Sequence, residues 1–121
     1  MKKALLLVLL ITTFFSQAQD VACLDLLDYV KKNGYKKAEV SSYQLYDSSW
    51  LKKVTAYTID NTILVVAEIK KDEYSIYTKE YIFCGIPSTS WDYFYYGLYD
   101  IGKSYGERFH KYIIKRQCNC Y

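Results

Sequence analysis

The chain has one histidine, His110, and therefore one side chain whose ordinary pKa suits general acid–base work near neutral pH. Asp92, Asp100 and Glu107 are near it in sequence, and none stands at a recognisable catalytic spacing. A lone histidine among Arg108, Lys111 and Lys115 reads as surface decoration more simply than as a general base. Ser104 lies in Gly102-Lys103-Ser104-Tyr105-Gly106, whose first three residues look like the end of a phosphate-binding loop. Such a loop leaves a β-strand, and no strand leads into this one. Ser104 is instead expected to cap a helix, with Glu107 three residues later completing a capping box. Cys118 and Cys120, with Cys84 and His110, are four soft groups that could hold zinc, but paired zinc cysteines usually have two to four residues between them and this pair has one. Disulfides explain the same residues better. Cys118 and Cys120 are too close to bond each other easily, so each needs a distant partner, Cys23 or Cys84, in either of two orders.

Two surface features suit binding rather than catalysis. Arg108, Lys111 and Lys115 are spaced three and four apart and would form one basic stripe on a helix, with Tyr112 beside it. That stripe suits a protein partner, a polyanion or anionic headgroups, although a solvated face near a helix C-terminus explains it too. The chain also holds fifteen tyrosines. Tyr93, Phe94, Tyr95 and Tyr96 are consecutive, so a helix cannot turn all four inward, and Tyr93 and Tyr96 become candidate contact residues. Packing around a small core is the plainer role for such side chains. Catalytic residues, a metal and a cofactor are not expected.

The elements that must position these residues begin after a leader. Lys2-Lys3, an apolar run from Ala4 to Phe15 and the small-x-small sequence Ser16-Gln17-Ala18 read as a signal peptide over residues 1–18. The run is too short to span a bilayer as a helix. A secreted or periplasmic protein is expected, in an oxidising compartment where disulfides persist. Without Lys2 and Lys3 the formal charge drops from +3 to about +1, which removes a whole-domain case for nucleic acid. At 121 residues the chain has room for one small domain, which gains from covalent staples.

Three-residue steps through Val21, Leu24 and Leu27 predict a helix over 20–33, ended by Gly34. Partial alternation over 38–46 predicts an edge strand within a 19–47 segment. Residues 50–59 and 62–69 predict strands joined at Asp60-Asn61, and 74–84 a further strand after a polar turn. Pro87 ends the strands. Ser88 or Ser90 is expected to cap a helix that carries Trp91, Phe94 or Tyr95 and Leu98 along one side. A last helix is expected from about Lys103 to Arg116, followed by the cysteine tail 117–121. The sum is an α+β fold, an antiparallel sheet of three to four strands packed on one face by helices, with an extra N-terminal helix.

Ser48-Ser49, Val54, Tyr57, the hairpin, Tyr81-Ile82-Phe83, Gly85-Ile86-Pro87, Trp91, Phe94, and Gly102 to Gly106 with Phe109 and Ile113 follow a familiar order. Over about 48–116 the chain resembles the KTSC domain, the small domain named after the C-terminus of some lysyl-tRNA synthetases. The resemblance implies a small α+β domain, with RNA binding suggested by the synthetase context. Export argues against RNA here. Cys23, the Cys118–Cys120 tail and the stretch 68–77 lie outside the family pattern. The expected function is a secreted, non-enzymatic binding or interaction module. A small hydrolase built on carboxylates brought together by the fold is the alternative, and a structural or immunity-like partner protein is another.

Overall fold

The computed structural model describes residues 23–72 and 74–120; the expected signal peptide and the helix start at Asp20 lie outside them. Helix α1 occupies residues 23–33, and Gly34 stops it, donating its N–H to the Val30 carbonyl at 2.8 Å. A side chain at Gly34 would meet that carbonyl, so the chain turns here and enters β1 (Tyr35–Val40) at once. The edge strand thus starts and ends earlier than expected. Past Val40 the Ser41 N–H bonds the Gln44 side chain at 3.0 Å, and local turns replace the ladder.

β2 (Leu51–Ile59), β3 (Thr62–Lys70) and β4 (Thr78–Ile86) complete an antiparallel meander in the order β1-β2-β3-β4. Asp60 and Asn61 both take positive φ, +48° and +61°, making the two-residue turn that matches strand twist. β4 begins at Thr78 rather than Tyr74, because Asp72 and Ser75 side chains accept from the Tyr74 and Tyr77 amides and hold 72–77 as a turn. It continues to Ile86 through a bulge at which Gly85 adopts φ +58°.

Register explains why β3 is apolar almost throughout. Ala56, Val65 and Phe83 face one side in a row, and Thr55, Val66 and Ile82 face the other. The first side is covered by α2 (Ser88–Tyr96) and α3 (Tyr105–Tyr112). There Phe109 meets Phe83 edge-on at 5.3 Å and Phe94 at 5.8 Å, and Trp91 packs on Phe94. The second side is covered by α1, through Val30, and by Cys118 and Cys120.

Three helix boundaries differ from expectation. Pro87, not Ser88 or Ser90, stands at the N-cap of α2, offering its carbonyl to the Trp91 N–H at 3.1 Å. α2 stops at Tyr96, so Leu98 leaves the buried row and is 74% exposed. α3 ends at Tyr112, and a 3₁₀ turn, Ile114–Arg116, follows. The buried Ile113 and the pairing of Gln117 with Phe83 draw the chain down onto the edge of β4, where Cys118 donates to the Ile82 carbonyl. Disulfides Cys23–Cys120 and Cys84–Cys118 settle the two open pairings and remove the zinc set.

Candidate binding surface

The connection between α2 and α3 has its polarity inside out. Gly97 takes φ +66° and closes α2 by donating to the Tyr93 carbonyl at 3.1 Å. Beyond it, Leu98 and Tyr99 are each 74% exposed and Ile101 is 92% exposed, while Asp100 between them is buried. Two tight turns put them there: the Asp100 N–H bonds the Gly97 carbonyl at 3.2 Å, and the Lys103 N–H bonds the Asp100 carbonyl at 3.0 Å. Gly102, at φ +87°, permits the second.

α3 clamps this connection at both ends. Lys111 Nζ donates to Asp100 Oδ1 at 2.7 Å and the Tyr112 hydroxyl donates to Oδ2 at 2.5 Å. Those bonds hold the Asp100 carboxyl below its ordinary pKa, Lys111 first and Tyr112 second. The same bond to Asp100 raises the Lys111 ammonium and the Tyr112 phenol. Arg108 spans the base of the connection, donating through Nε to the Phe94 carbonyl and through a terminal nitrogen to the Lys103 carbonyl, both at 2.8 Å. Its guanidinium lies 4.3 Å from the Tyr105 ring centre and against Gly97, where an added Cβ would be only 2.8 Å away. Tyr93 braces the outside, touching Tyr99 at 4.9 Å and Tyr112 at 5.5 Å.

This geometry corrects the basic stripe. Arg108 is 8% exposed and bonds two main-chain carbonyls through Nε and one terminal nitrogen, which places it as a strut rather than on an open contact face. Lys111 is half exposed but paired with Asp100. Lys115 is exposed on the 3₁₀ turn, and the break at Ile113 (φ −123°, ψ −38°) ends the helical repeat that would align it with Lys111. Tyr112 commits its hydroxyl to Asp100. Tyr93 is half-buried, and Tyr96 is exposed beside Tyr95. Leu98, Tyr99, Asp100 and Ile101 were not anticipated as a unit. Gly97 and Gly102, bracketing four residues, were the signal that a helix could not run through.

Residues 97–104 also complete the spacing Gly-x-x-x-x-Gly-Lys-Ser. The structure excludes a phosphate loop nonetheless. A helix leads into it, the amides of Gly97, Asp100 and Lys103 are bonded to carbonyls, and the Asp100 carboxylate occupies its inner side. Ser104 acts as the cap, accepting from the Glu107 N–H at 3.2 Å, while the Glu107 carboxylate approaches its hydroxyl.

A shallow groove of about 290 Å³ lies next to the cap, lined by Asp47, Ser49, Trp50, Ser104, Glu107 and His110. Gly106 forms its floor, where a Cβ would sit 3.3 Å from the Ser48 hydroxyl and 3.2 Å from Trp50 Nε1. Among the described residues, no three His, Cys, Asp or Glu side chains are grouped to hold a metal, and no helix is long and apolar enough to cross a membrane. No family model matches the chain, and neither a curated protein nor a solved structure matches it significantly.

Proposed function

We propose that the protein is an exported, non-enzymatic binding module whose contact element is the α2–α3 connection. The inverted polarity of residues 97–101 carries this reading. Folding ordinarily buries Leu and Ile and leaves Asp in water, yet here a carboxylate with two side-chain donors is inside and three large apolar groups are outside. Clamping from α3 fixes their positions before contact, which lowers the ordering cost of binding. The leader sequence supports export to a secreted or periplasmic location. The KTSC likeness remains part of the proposal, supported by the packing of Gly106 against Ser48, two residues quoted for it.

One observation favours the hydrolase alternative: Asp47 and Glu107 share the groove beside His110. Glu107, however, is drawn to the Ser104 cap, which fixes it in a structural role. The binding reading is tested with a photo-crosslinking residue placed at Tyr99 and, as a control, at the exposed Thr62 beside the β2–β3 turn. Irradiation in the native host should give a discrete adduct from position 99 and none from position 62. Equal yields, or none from 99, would refute the assignment.

A further inference from the structure

We propose a second contact, independent of the α2–α3 connection: the open outer edge of β4 takes an extended segment of a partner protein as an added strand. β4 ends the sheet, so one side of its main chain has no neighbouring strand. Register decides which groups face that side. The Lys70 N–H bonds the Trp50 carbonyl at 2.9 Å, so even-numbered residues of β3 turn their main chain to β2 and odd-numbered ones to β4. Val65, Ala67 and Ile69 therefore bond Phe83, Tyr81 and Lys79, and the N–H and C=O groups of Thr78, Glu80 and Ile82 are directed outward. The tail gives the same answer from the other side, because the Cys118 N–H reaches the Ile82 carbonyl at 3.1 Å.

Three features identify the occupant. Alternating donors and acceptors along an open strand edge recognise another extended main chain. The tail is a short example of one: Gln117 pairs antiparallel with Phe83, the bond at Ile82 is made, and the chain then departs to cover the second face. Among the described residues, no hydrogen bond reaches the outward groups of Thr78 and Glu80, so the edge beyond the tail is open. Next to it lies a groove of about 230 Å³ lined by Leu24, Leu27, Glu80, Ile82 and Gln117, with Leu24 65% exposed. An added strand turns alternate side chains toward this apolar groove and the others toward the opposite face. There Lys79 is exposed and has no ion pair among the described residues. The matching segment alternates apolar and acidic residues. A second copy of the chain fits poorly, because antiparallel pairing centred on Glu80 sets Glu80 against Glu80, and pairing centred on Lys79 sets Lys79 against Lys79.

A phage-displayed library of random heptapeptides, selected on the disulfide-bonded protein, tests the proposal. Selection should enrich sequences that alternate apolar and acidic residues, and a synthetic peptide of the enriched sequence is then titrated by fluorescence anisotropy. Glu80→Pro removes an outward N–H yet suits an edge strand, so circular dichroism should be unchanged while the peptide binds about tenfold more weakly or worse. Glu80→Ala keeps the main-chain pair and should change affinity less than about threefold. N-methylating every second peptide residue should abolish binding in one frame and spare it in the other, because an added strand turns only alternate N–H groups toward β4. That arm uses the parent protein and does not depend on a variant folding. No enrichment, equal loss in both frames, or equal affinities of Glu80→Pro and Glu80→Ala overturns the proposal. A dimer that Glu80→Pro breaks would give the edge to a second copy, and peptide binding that appears only once residues 19–22 are removed would give it to the chain's own segment before Cys23; either result overturns it too. The crosslink at position 99 reports on the other surface, so neither experiment decides the other.

Discussion

Arg108 and Lys115 are both basic and close in sequence, yet their surroundings give them opposite weights. Arg108 satisfies the Phe94 and Lys103 carbonyls from a site only 8% exposed. Hydrogen bonds from a charged donor contribute about 1.5–3 kcal/mol each, and removing the donor strands its acceptors. Arg108→Met should therefore lower unfolding free energy by about 2–4 kcal/mol in urea titration. Lys115→Ala, on an exposed turn, should stay within about 0.5 kcal/mol. If the two substitutions cost the same, the strut assignment is wrong. Asp100 gives a pH prediction with a definite sign. Its folded pKa lies below the ordinary carboxylate value, so the stability it adds is present above about pH 4 and lost as pH falls through the folded value. Lys111 and Tyr112 are raised in the fold, so their contribution is complete below about pH 10 and lost as pH rises through their folded values. The clamp should hold between these limits. Urea midpoints measured from pH 7 downward should fall more steeply for the parent than for Asp100→Asn, in which this titration is absent.

At the scale of elements, the α2–α3 connection depends on two glycines that do different work. Gly97 closes α2 at φ +66° and is backed by the Arg108 guanidinium; Gly102 turns at φ +87° with nothing within 4 Å of an added Cβ. Alanine at either site meets the left-handed penalty of about 1–2 kcal/mol. Only at Gly97 must a side chain also give way, so Gly97→Ala should lower the thermal midpoint more than Gly102→Ala does. The same glycines show where the sequence was legible and where it was not. β2 and β3 could be read directly, because side chains alternating between two faces leave a pattern and Asp60-Asn61 marks the turn. The capping role of Ser104 was legible too, being a local contact. The cysteine spacing limited the pairings to two, and a choice between them required knowing which face of β4 the tail crosses. Arg108 misled because charge predicts exposure until a neighbouring helix end offers it free carbonyls. Leu98 misled because its three-residue step from Tyr95 fits a helix that Gly97 has already ended. The first error concerns a tertiary partner, about which periodicity contains no information; the second passes over a local stop that Gly97 marks in the sequence.

On the scale of the whole molecule, a central strand buried on both faces needs two covers, and only one of them is made of well-packed helices. α2 and α3 seal the first face with Trp91, Phe94 and Phe109. The second is covered by α1 and the tail, a thinner layer in which Val30, Cys118 and Cys120 meet Val66 and Ile82. An ion pair between Lys31 and Glu80 adds a link at the surface, where such pairs contribute little. The disulfides carry more of that cover. Cys84–Cys118 spans 34 residues and Cys23–Cys120 spans 97, which in the chain-entropy model corresponds to about 4 and 5 kcal/mol. Measured losses for native disulfides usually fall within about 2–5 kcal/mol, and a domain of this size has about 5–15 kcal/mol in total. Replacing Cys23 and Cys120 together with alanine should thus leave a folded sheet with α1 loosened. The expected signs are a lower urea midpoint, increased binding of a hydrophobic dye to the uncovered Val66–Ile82 face, and near-parent ring contacts around Phe109. Removing the second pair as well should consume most of the remaining stability and leave the chain largely unfolded at 37 °C. If the doubly reduced protein instead keeps its midpoint and binds no dye, the second face is held by packing alone and the disulfides are dispensable to the fold.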